Sequence, residues 1–391
     1  MTNFLRTSLC TLALVVAAAN LAACGNSALP PNNVGALQLK TPLATPTPTA
    51  AIVTEFKLPS ANTYLGAVTS GPDGNLWVTE CDANKIGRVM LSGAITEFAI
   101  PTANTCPQII TPGPDGNLWF TEGNFNTIGR ITTAGVSTEF PLPPPLGTAP
   151  LNPTGIVAGP DGNIWFTHPG ANAIGVMSTS GTLLATYSSP TANAGPDLII
   201  AGPDGNMWFA EGNGPTNYIA KSTLSGAITE FAVPTLSSNG LGGTIGGIAT
   251  GQDGNIWFTE KVASKIGRIT LSGVFTEWAY ATGIYRFQRV TTTPDGFLWI
   301  AEAATTASQP SEIAKMNTLG TILAEYTIPE TGACPTAPFF CGIRGMTVGP
   351  DNNVWFTDEG NDAVGMITTG LRTSTVRRNG KGLVYRCRCL S

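Results

Sequence analysis

A ten-residue motif that recurs along the chain constrains the fold more than any other feature. Its first copy is GPDGNLWVTE, and the last two copies are the most divergent. The seven copies begin at Gly71, Gly113, Gly159, Gly202, Gly251, Thr293 and Gly349. A period of roughly 42–56 residues that is built on a turn and a strand is typical of propellers and other repeat arrays.

Each repeat predicts four short strands. An apolar run precedes the Pro-Asp-Gly turn, in which Pro presets φ and Gly adopts the left-handed conformation. The Asn-x-Trp-x-Thr-Glu run alternates as a half-buried second strand should. An Ile-Gly-Arg run and a Thr-Glu-Phe run supply the third and fourth strands. Only 12% of residues are charged, and the chain contains 46 Gly and 30 Pro, which suits many strands joined by tight turns.

The Thr-Glu-Phe motif predicts how the array closes. Its first copy, Thr54-Glu55-Phe56, precedes every turn motif, and no copy follows the last unit, which ends near Ile367. The second and fourth strands therefore match in number only if residues 51–59 complete the last blade. Such closure removes exposed sheet edges. We predict an all-β fold, a seven-bladed β-propeller of four-stranded blades whose N-terminal strand completes the last blade.

The N-terminus has the pattern of a bacterial lipoprotein signal. Arg6 precedes an apolar run from Leu9 to Leu21, and Leu21-Ala22-Ala23-Cys24 resembles a lipobox, in which Cys24 is lipidated. An ordinary signal peptide is the alternative. We expect a protein of the bacterial cell envelope that is lipid-anchored through Cys24 or secreted.

The remaining boundaries follow from composition. We assign residues 1–24 to a signal peptide, 25–50 to a Pro/Thr-rich tether, 51–370 to the propeller and 371–391 to a basic tail that we expect to be disordered.

Charge and cysteine content limit the possible partners. Residues 25–370 carry 13 Lys/Arg against 25 Asp/Glu, a net charge of −12, which argues against a nucleic-acid partner. An exported protein permits disulfides, and the candidate pairs are Cys81 with Cys106 and Cys334 with Cys341. We expect a monomer.

One ring of candidate site residues closes the second strands: Glu80, Glu122, His168, Glu211, Glu260, Glu302 and Asp358. Carboxylates near a common axis could hold Mg²⁺ or Ca²⁺. An acid that recurs in nearly every blade instead favours a structural role, either as a loop cap or as a partner of the Ile-Gly-Arg arginines. His168 is the only histidine and breaks the pattern. It is a candidate general base, or a drifted glutamate position.

A second ring lies five residues before each turn, where inner strands reach the mouth of the central channel. It varies from blade to blade, as a ligand-binding surface would, and its polar members are Gln108, Asp197, Gln288 and Arg344. Arg344 could bind an anionic ligand group or pair with Asp358. We therefore predict that a small-molecule or peptide ligand binds at the channel mouth.

The repeats GPDGNLWFTE and NTIGRITTAGVSTEF resemble the streptogramin B lyase (virginiamycin B lyase) family, and the similarity covers about residues 51–370. The resemblance implies a seven-bladed propeller and a Mg²⁺-dependent elimination that opens the ester bond of a cyclic depsipeptide antibiotic. It also implies histidines at positions 288 and 344 and acids at positions 342 and 358. Here these positions are Gln288, Arg344, Gly342 and Asp358.

These departures favour ligand binding without elimination, because neither Gln nor Arg accepts a proton near pH 7. On this interpretation Gln108, Asp197, Gln288, Arg344 and Asp358 contact a ligand or partner at the cell envelope. The alternative is a streptogramin B lyase or lactone-acting enzyme that confers antibiotic resistance. Mg²⁺ would then be held by Glu302 and Asp358, with His168 and Asp358 as catalytic residues. No Ser nucleophile elbow, Walker loop or dinucleotide motif is present.

Overall fold

A computed structural model describes the repeat region almost completely. The described residues are 52–61, 63–143, 146, 153–213, 216–235, 245–261, 263–280, 285–304, 310–329 and 342–370. All of them belong to the second of the chain's two units, Thr49–Ser391. The predicted signal peptide with Cys24, the tether, the basic tail and the pair Cys334–Cys341 lie outside the described residues. No helix among the described residues is long and apolar enough to span a membrane.

Seven antiparallel sheets of four strands each form the propeller, which confirms the predicted fold. The strands of blades 1 and 2 are β2 (Leu65–Ser70), β3 (Leu76–Glu80), β4 (Lys85–Val89), β5 (Ile95–Ala99), β6 (Pro107–Pro112), β7 (Leu118–Glu122), β8 (Thr127–Ile131) and β9 (Ser137–Pro141). Those of blades 3 and 4 are β10 (Ile156–Ala158), β11 (Ile164–His168), β12 (Ala173–Met177), β13 (Leu183–Ser188), β14 (Pro196–Ala201), β15 (Met207–Glu211), β16 (Tyr218–Ser222) and β17 (Ile228–Ala232).

Blades 5 and 6 comprise β18 (Ile245–Thr250), β19 (Ile256–Glu260), β20 (Lys265–Ile269), β21 (Phe275–Ala279), β22 (Tyr285–Thr292), β23 (Leu298–Ala304), β24 (Glu312–Met316) and β25 (Ile322–Thr327). Blade 7 comprises β26 (Ile343–Val348), β27 (Val354–Asp358), β28 (Ala363–Ile367) and the N-terminal strand β1 (Val53–Lys57). β1 pairs antiparallel with β28, from Val53 opposite Ile367 to Lys57 opposite Ala363, so the predicted ring closure is confirmed.

The recurring tryptophan organises the interior of each blade. The seven tryptophans of the second strands are fully buried, as are the phenylalanines next to them on the second strands. In six blades the indole N–H donates to the aspartate of the preceding Pro-Asp-Gly or Gln-Asp-Gly turn, or of Pro-Asp-Asn in blade 7, at 3.0–3.1 Å. The ring also stacks on the aromatic side chain of the fourth strand, as Trp119 does on Phe140 with centroids 5.4 Å apart. One residue therefore ties the turn, second strand and fourth strand together.

The arginine of the third strand completes this stack. The guanidinium of Arg130 lies 5.5 Å from the Trp119 ring and 5.4 Å from the Phe140 ring, and it is 3.8 Å from the turn carboxylate of Asp115. Arg268 has the same arrangement in blade 5. The expectation that these arginines pair with the glutamates that end the second strands is therefore wrong. A cation over an aromatic face is stabilised by the ring quadrupole, and here the turn aspartate adds to it.

Neighbouring blades lock together through aromatic rings and glycines. The aromatic ring on the fourth strand of one blade packs on a glycine of the next blade, in the turn between its third and fourth strands. Phe98 packs on Gly135 in this way, and Phe140 on Gly181. A hydroxyl contact adds to this, because Thr79 donates to the carbonyl of Gln108 in the next blade at 2.7 Å. The disulfide Cys81–Cys106 also joins blades 1 and 2, which confirms one predicted pair.

The glycine contact between blades can be tested with a matched pair of substitutions. Gly116 and Gly135 have φ of +76° and +88°, but only Gly135 lies against a ring, whereas a Cβ on Gly116 would meet nothing within 4 Å. Gly116→Ala should cost about 1 kcal/mol through backbone strain. Gly135→Ala should cost a further ~1–3 kcal/mol through overlap with Phe98. Urea unfolding measures both. Equal losses of stability would show that the ring contact contributes nothing.

Candidate functional site

The first strand of each blade lines a central channel of about 170 Å³. The lining is mainly apolar: Ala67, Val68, Ile109, Ile110, Gly155, Ile156, Leu198, Ile199, Ile200, Gly247, Ile248, Arg289, Val290, Gly345 and Met346. None of the seven residues that end the second strands lines it in the part of the chain that the structure describes. A metal ring around the channel axis is therefore not formed by those acids.

Register shifts in the inner strands place the second predicted ring. The shifts lie between Pro107 and Ile110, Pro196 and Ile199, Phe287 and Arg289, and Ile343 and Met346. A bulge leaves residues out of the ladder and redirects their side chains. Gln108, Asp197, Gln288 and Arg344 all fall within these bulges. The structure thus places the four predicted ligand-binding residues at equivalent positions of the inner strands.

Arg289 is the one charged residue among those that line the channel. Its Nε donates to the carbonyl of Arg344 at 2.5 Å and its Nη1 to the carbonyl of Gly246 at 2.8 Å, so it links blades 5, 6 and 7. Burial lowers the pKa of Arg289, and the charge of Asp197 opposes that shift. An arginine nevertheless keeps its proton in proteins. The channel therefore contains a fixed cation whose donors are only partly used by backbone carbonyls.

Arg344 forms an ion pair at the rim of the channel. Its Nε donates to Oε2 of Glu359 at 2.7 Å, and its guanidinium lies 4.8 Å from the ring of Tyr64 in blade 1. Asp358, which the sequence suggested as the partner of Arg344, precedes Glu359 in the chain and contacts Asn361 and Glu55 instead. Burial raises the pKa of Glu359 despite the opposing effect of Arg344. The Arg344 side chain remains one-third exposed, so it can still reach a ligand.

The other three predicted residues differ in their surroundings. Gln108 is half-buried, and its side-chain amide lies against Gly123 of its own blade. Asp197 is close enough to Arg289 for its charge to act on the guanidinium. Gln288 precedes Arg289 and is half-buried. The mouth therefore offers two amide groups, two guanidinium groups, the carboxylate of Asp197 and that of Glu359, which is paired with Arg344.

The acids that end the second strands face fourth-strand glutamates. These carboxyl pairs are Glu80–Glu97, Glu122–Glu139, Glu211–Glu230, Glu260–Glu277, Glu302–Glu325 and Asp358–Glu55. In four blades the fourth-strand glutamate also accepts bonds from the backbone N–H and hydroxyl of a Ser or Thr that follows the preceding blade, as Glu230 does from Thr191 at 2.9 and 2.6 Å. The recurring glutamates thus join neighbouring blades.

Burial makes one member of each pair a weak acid. Burial and the charge of Glu97 raise the pKa of Glu80 to about 8, and burial with Glu139 does the same for Glu122. Burial and the hydrogen-bonded Glu55 raise the pKa of Asp358 to about 7. Two adjacent carboxyl groups in low dielectric cannot both ionise readily, so the buried member of each pair keeps its proton to a higher pH than an ordinary carboxyl group does. Asp358 also accepts a bond from Asn361 Nδ2 at 2.9 Å.

His168 occupies the glutamate position of blade 3 and is fully buried. Its Nε2 is 2.8 Å from Oδ1 of Asn126 in blade 2, and its Nδ1 accepts from the backbone N–H of Ala171. Burial lowers the pKa of His168. These contacts hold the imidazole in its neutral form at the boundary between two blades, with the Nε2–H donating to Asn126 Oδ1. The structure therefore does not bring His168 to the channel mouth, and its catalytic role stays a prediction without geometric support.

The positions that the resemblance assigns to a Mg²⁺ site do not fit that ion. Position 344 carries a guanidinium, position 342 is glycine, and Asp358 is directed to Glu55 and Asn361. A hard dication needs oxygen ligands that converge on one point. The predicted metal pair Glu302 and Asp358 is divided between blades 6 and 7, and Glu302 converges instead with Glu312 and Glu325.

Sequence reasoning missed Arg289 and Glu359. Arg289 lies four residues before its turn motif, where the other repeats have Ala, Ile, Gly or Leu. That comparison would have revealed it. Glu359 is the only acid at its position in the seven copies, but that position varies between copies, and only the fold shows its contact with Arg344.

The chain matches a known family over most of its length. The model of the virginiamycin B lyase family matches residues 53–337 and 239–377. A solved streptogramin B lyase is 32% identical, with a TM-score of 0.69 over 81% of this chain and 97% of that chain. Virginiamycin B lyase from Staphylococcus aureus gives the same identity and TM-score over 81% of this chain and 99% of that chain. A catalytically inactive form of that enzyme with quinupristin matches equally well.

The fold, with seven blades and a closing N-terminal strand, belongs to the class of β-propeller proteins. The chain belongs to the virginiamycin B lyase family. No curated protein matches it.

The carboxyl pairs predict how stability depends on pH. The pKa of Glu122 is raised to about 8 in the folded protein. Its contribution to the stability of the fold is therefore complete below the unfolded-state pKa near 4.5 and is lost as pH rises through about 8. The melting temperature should therefore fall between pH 7 and pH 9, where His168 is neutral in both states. Glu122→Gln should weaken this fall and melt above the parent protein at pH 9.

Asp115→Asn is the matched control for this experiment. Burial acts to raise the pKa of Asp115, but hydrogen bonds from Asn117 and Trp119 outweigh it, so the pKa is lowered. It is therefore ionised in both states above pH 7, and its substitution should lower the melting temperature without changing the slope. A pH slope that is identical in Glu122→Gln and the parent protein would contradict the raised pKa of Glu122.

Proposed function

We propose that this chain binds a cyclic peptide or depsipeptide at the channel mouth and does not open it by elimination. The observation that carries the proposal is the Arg344–Glu359 ion pair, which occupies a position for which the family resemblance implies a histidine. A guanidinium cannot accept a proton. The mouth therefore lacks a base at that point but keeps hydrogen-bond donors.

The available groups suit a peptide ligand. Cyclic depsipeptides present amide and ester carbonyl oxygens, which accept bonds from guanidinium and amide donors. Arg344 is partly exposed, and Arg289, which donates to the Arg344 carbonyl, lines the channel. Asp197 supplies an acceptor for ligand N–H groups. Support for a cyclic ligand also comes from the Staphylococcus aureus family member that is known with quinupristin.

In this proposal the protein acts at the cell envelope. Residues 1–24 export the chain and Cys24 carries the lipid that holds it at the membrane, while Gln108, Gln288 and the two arginines contact the ligand. The function is then capture or sequestration of a peptide outside the cytoplasm rather than its chemical conversion.

The test uses quinupristin as the probe. The full chain is incubated with quinupristin and excess MgCl₂, and the intact and ring-opened forms are separated by chromatography, because elimination leaves the mass unchanged. Calorimetry on the same samples measures binding. We expect binding without ring opening. Opening that depends on Mg²⁺ would instead make the chain a lyase, and the absence of both binding and opening would overturn the ligand class.

Substitution at the rim locates the bound ligand. Arg344→Ala removes the exposed guanidinium and should weaken quinupristin binding about tenfold, equivalent to about 1.4 kcal/mol. Lys57→Ala is the control, because it removes one positive charge from an exposed residue on the outer strand of blade 7. Equal affinities for Arg344→Ala and Lys57→Ala would place the ligand elsewhere.

A further inference from the structure

Three carboxylates converge in blade 6, away from the channel. Glu302 lies in β23, Glu312 begins β24 and Glu325 lies in β25. Glu302 pairs directly with Glu312, and Ala314 pairs with Glu325, so the three side chains leave the same face of the sheet. One oxygen of each carboxylate lies within 4.8 Å of an oxygen of the other two.

Blades 1 and 5 have a basic residue at the position of Glu312, whereas blades 2, 3, 4 and 7 have a neutral one. In blades 1 and 5 the residue opposite the second-strand glutamate is lysine, and its ammonium binds the fourth-strand glutamate: Lys85 Nζ is 2.6 Å from Glu97 and Lys265 Nζ is 3.0 Å from Glu277. Blade 6 has Glu312 instead. The cation that balances the carboxyl pair in blades 1 and 5 is thus replaced by a third acid.

A buried oxygen in this cluster lacks a partner. Glu302 is only 1% exposed, and its Oε1 accepts no hydrogen bond from any described residue. Burial, then the charges of Glu325 and Glu312, raise the pKa of Glu302 to about 8. A buried polar atom without a partner is costly.

A shared proton does not remove the repulsion in this cluster as it does in the carboxyl pair of blade 2. Glu122 also has an unpaired oxygen, but it faces one other carboxyl group, Glu139, and a single proton serves both. Three carboxyl groups with one proton still leave two negative charges side by side. Like charges at such separations repel strongly when one of them is buried.

We propose that Glu302, Glu312 and Glu325 bind a Ca²⁺ ion, which takes the place of the lysine ammonium of blades 1 and 5. Ca²⁺ takes oxygen ligands at roughly 2.3–2.6 Å, so two oxygens on opposite sides of the ion stand about 4.8 Å apart. Glu312 is half-buried and Glu325 is exposed, which leaves room for water ligands. Such an irregular, open site suits Ca²⁺ better than Mg²⁺, which demands near-ideal octahedral geometry.

The ion would stabilise blade 6 by cross-linking its three outer strands. Its ligands come from β23, β24 and β25, and none of the three lines the channel. The site is therefore independent of the proposed peptide-binding function.

The test is Ca²⁺ binding by the full chain after treatment with a chelator. Addition of CaCl₂ should raise the melting temperature and give a calorimetric dissociation constant of roughly 10⁻⁴–10⁻³ M, as in extracellular modules. MgCl₂ at the same concentration should produce a smaller shift. Equal shifts with both ions would contradict the assignment of Ca²⁺, and the absence of any Ca²⁺ response would overturn the site.

Glu312→Lys is the decisive variant, because it recreates the arrangement of blades 1 and 5. It should fold, melt above the parent protein without Ca²⁺, and lose the response to Ca²⁺. Glu122→Gln, which changes the blade 2 counterpart of Glu302, should keep the full response. An undiminished Ca²⁺ shift in Glu312→Lys would place the ion elsewhere and refute the proposal. Quinupristin binding should be the same in Glu312→Lys and the parent protein, so failure of this site and failure of the proposed function are distinguishable.

Discussion

The hydrogen bond from the buried indole to the turn aspartate is the interaction on which the rest of the propeller depends. It fixes the turn between the first and second strands and orients the ring that the fourth-strand aromatic and the third-strand cation then cover. In blade 6 Thr293 replaces the glycine, and its hydroxyl accepts from the Trp299 N–H and donates to Asp295. The direct bond is thus absent from blade 6, but the indole and the turn aspartate stay connected through the Thr293 hydroxyl.

Residues that recur in the blades make the contacts between blades, and residues that depart from the pattern mark possible sites. The paired glutamates and the turn glycines recur because each junction needs them. Arg289, Arg344 and Glu312 each put a charge where other blades have a neutral, apolar or oppositely charged residue. The first two lie at the channel and underlie the peptide-binding proposal. The third lies in the outer part of blade 6 and underlies the cation site.

The fold was predictable because it depends on local, repeated chemistry. A turn motif, a strand period and the unmatched Thr54-Glu55-Phe56 together predicted seven blades and the closing strand, and the sheet of blade 7 confirms both. The pair Cys81–Cys106 was predicted correctly as well. The site was predicted less completely. The offset from the turn correctly identified inner-strand positions such as Arg344, but it could not show which acid pairs with that residue.

The acids that end the second strands show why the contacts of the candidate site residues could not be derived from the sequence. A strand pattern states which residues share a face, but not whether that face meets the channel or a neighbouring blade. Glu80 and its counterparts face fourth-strand glutamates, and His168 faces Asn126, because blades pack against each other at these strand ends. The partner is 17 to 23 residues away for the five second-strand glutamates, 42 for His168 and 303 for Asp358, all beyond the reach of a local pattern.

A crystal structure of the full chain with quinupristin would test the central claim most directly. The account predicts an intact cyclic ligand at the channel mouth, within hydrogen-bonding distance of Arg344 and above Arg289. A ring-opened product, or a ligand bound away from the mouth, would contradict it.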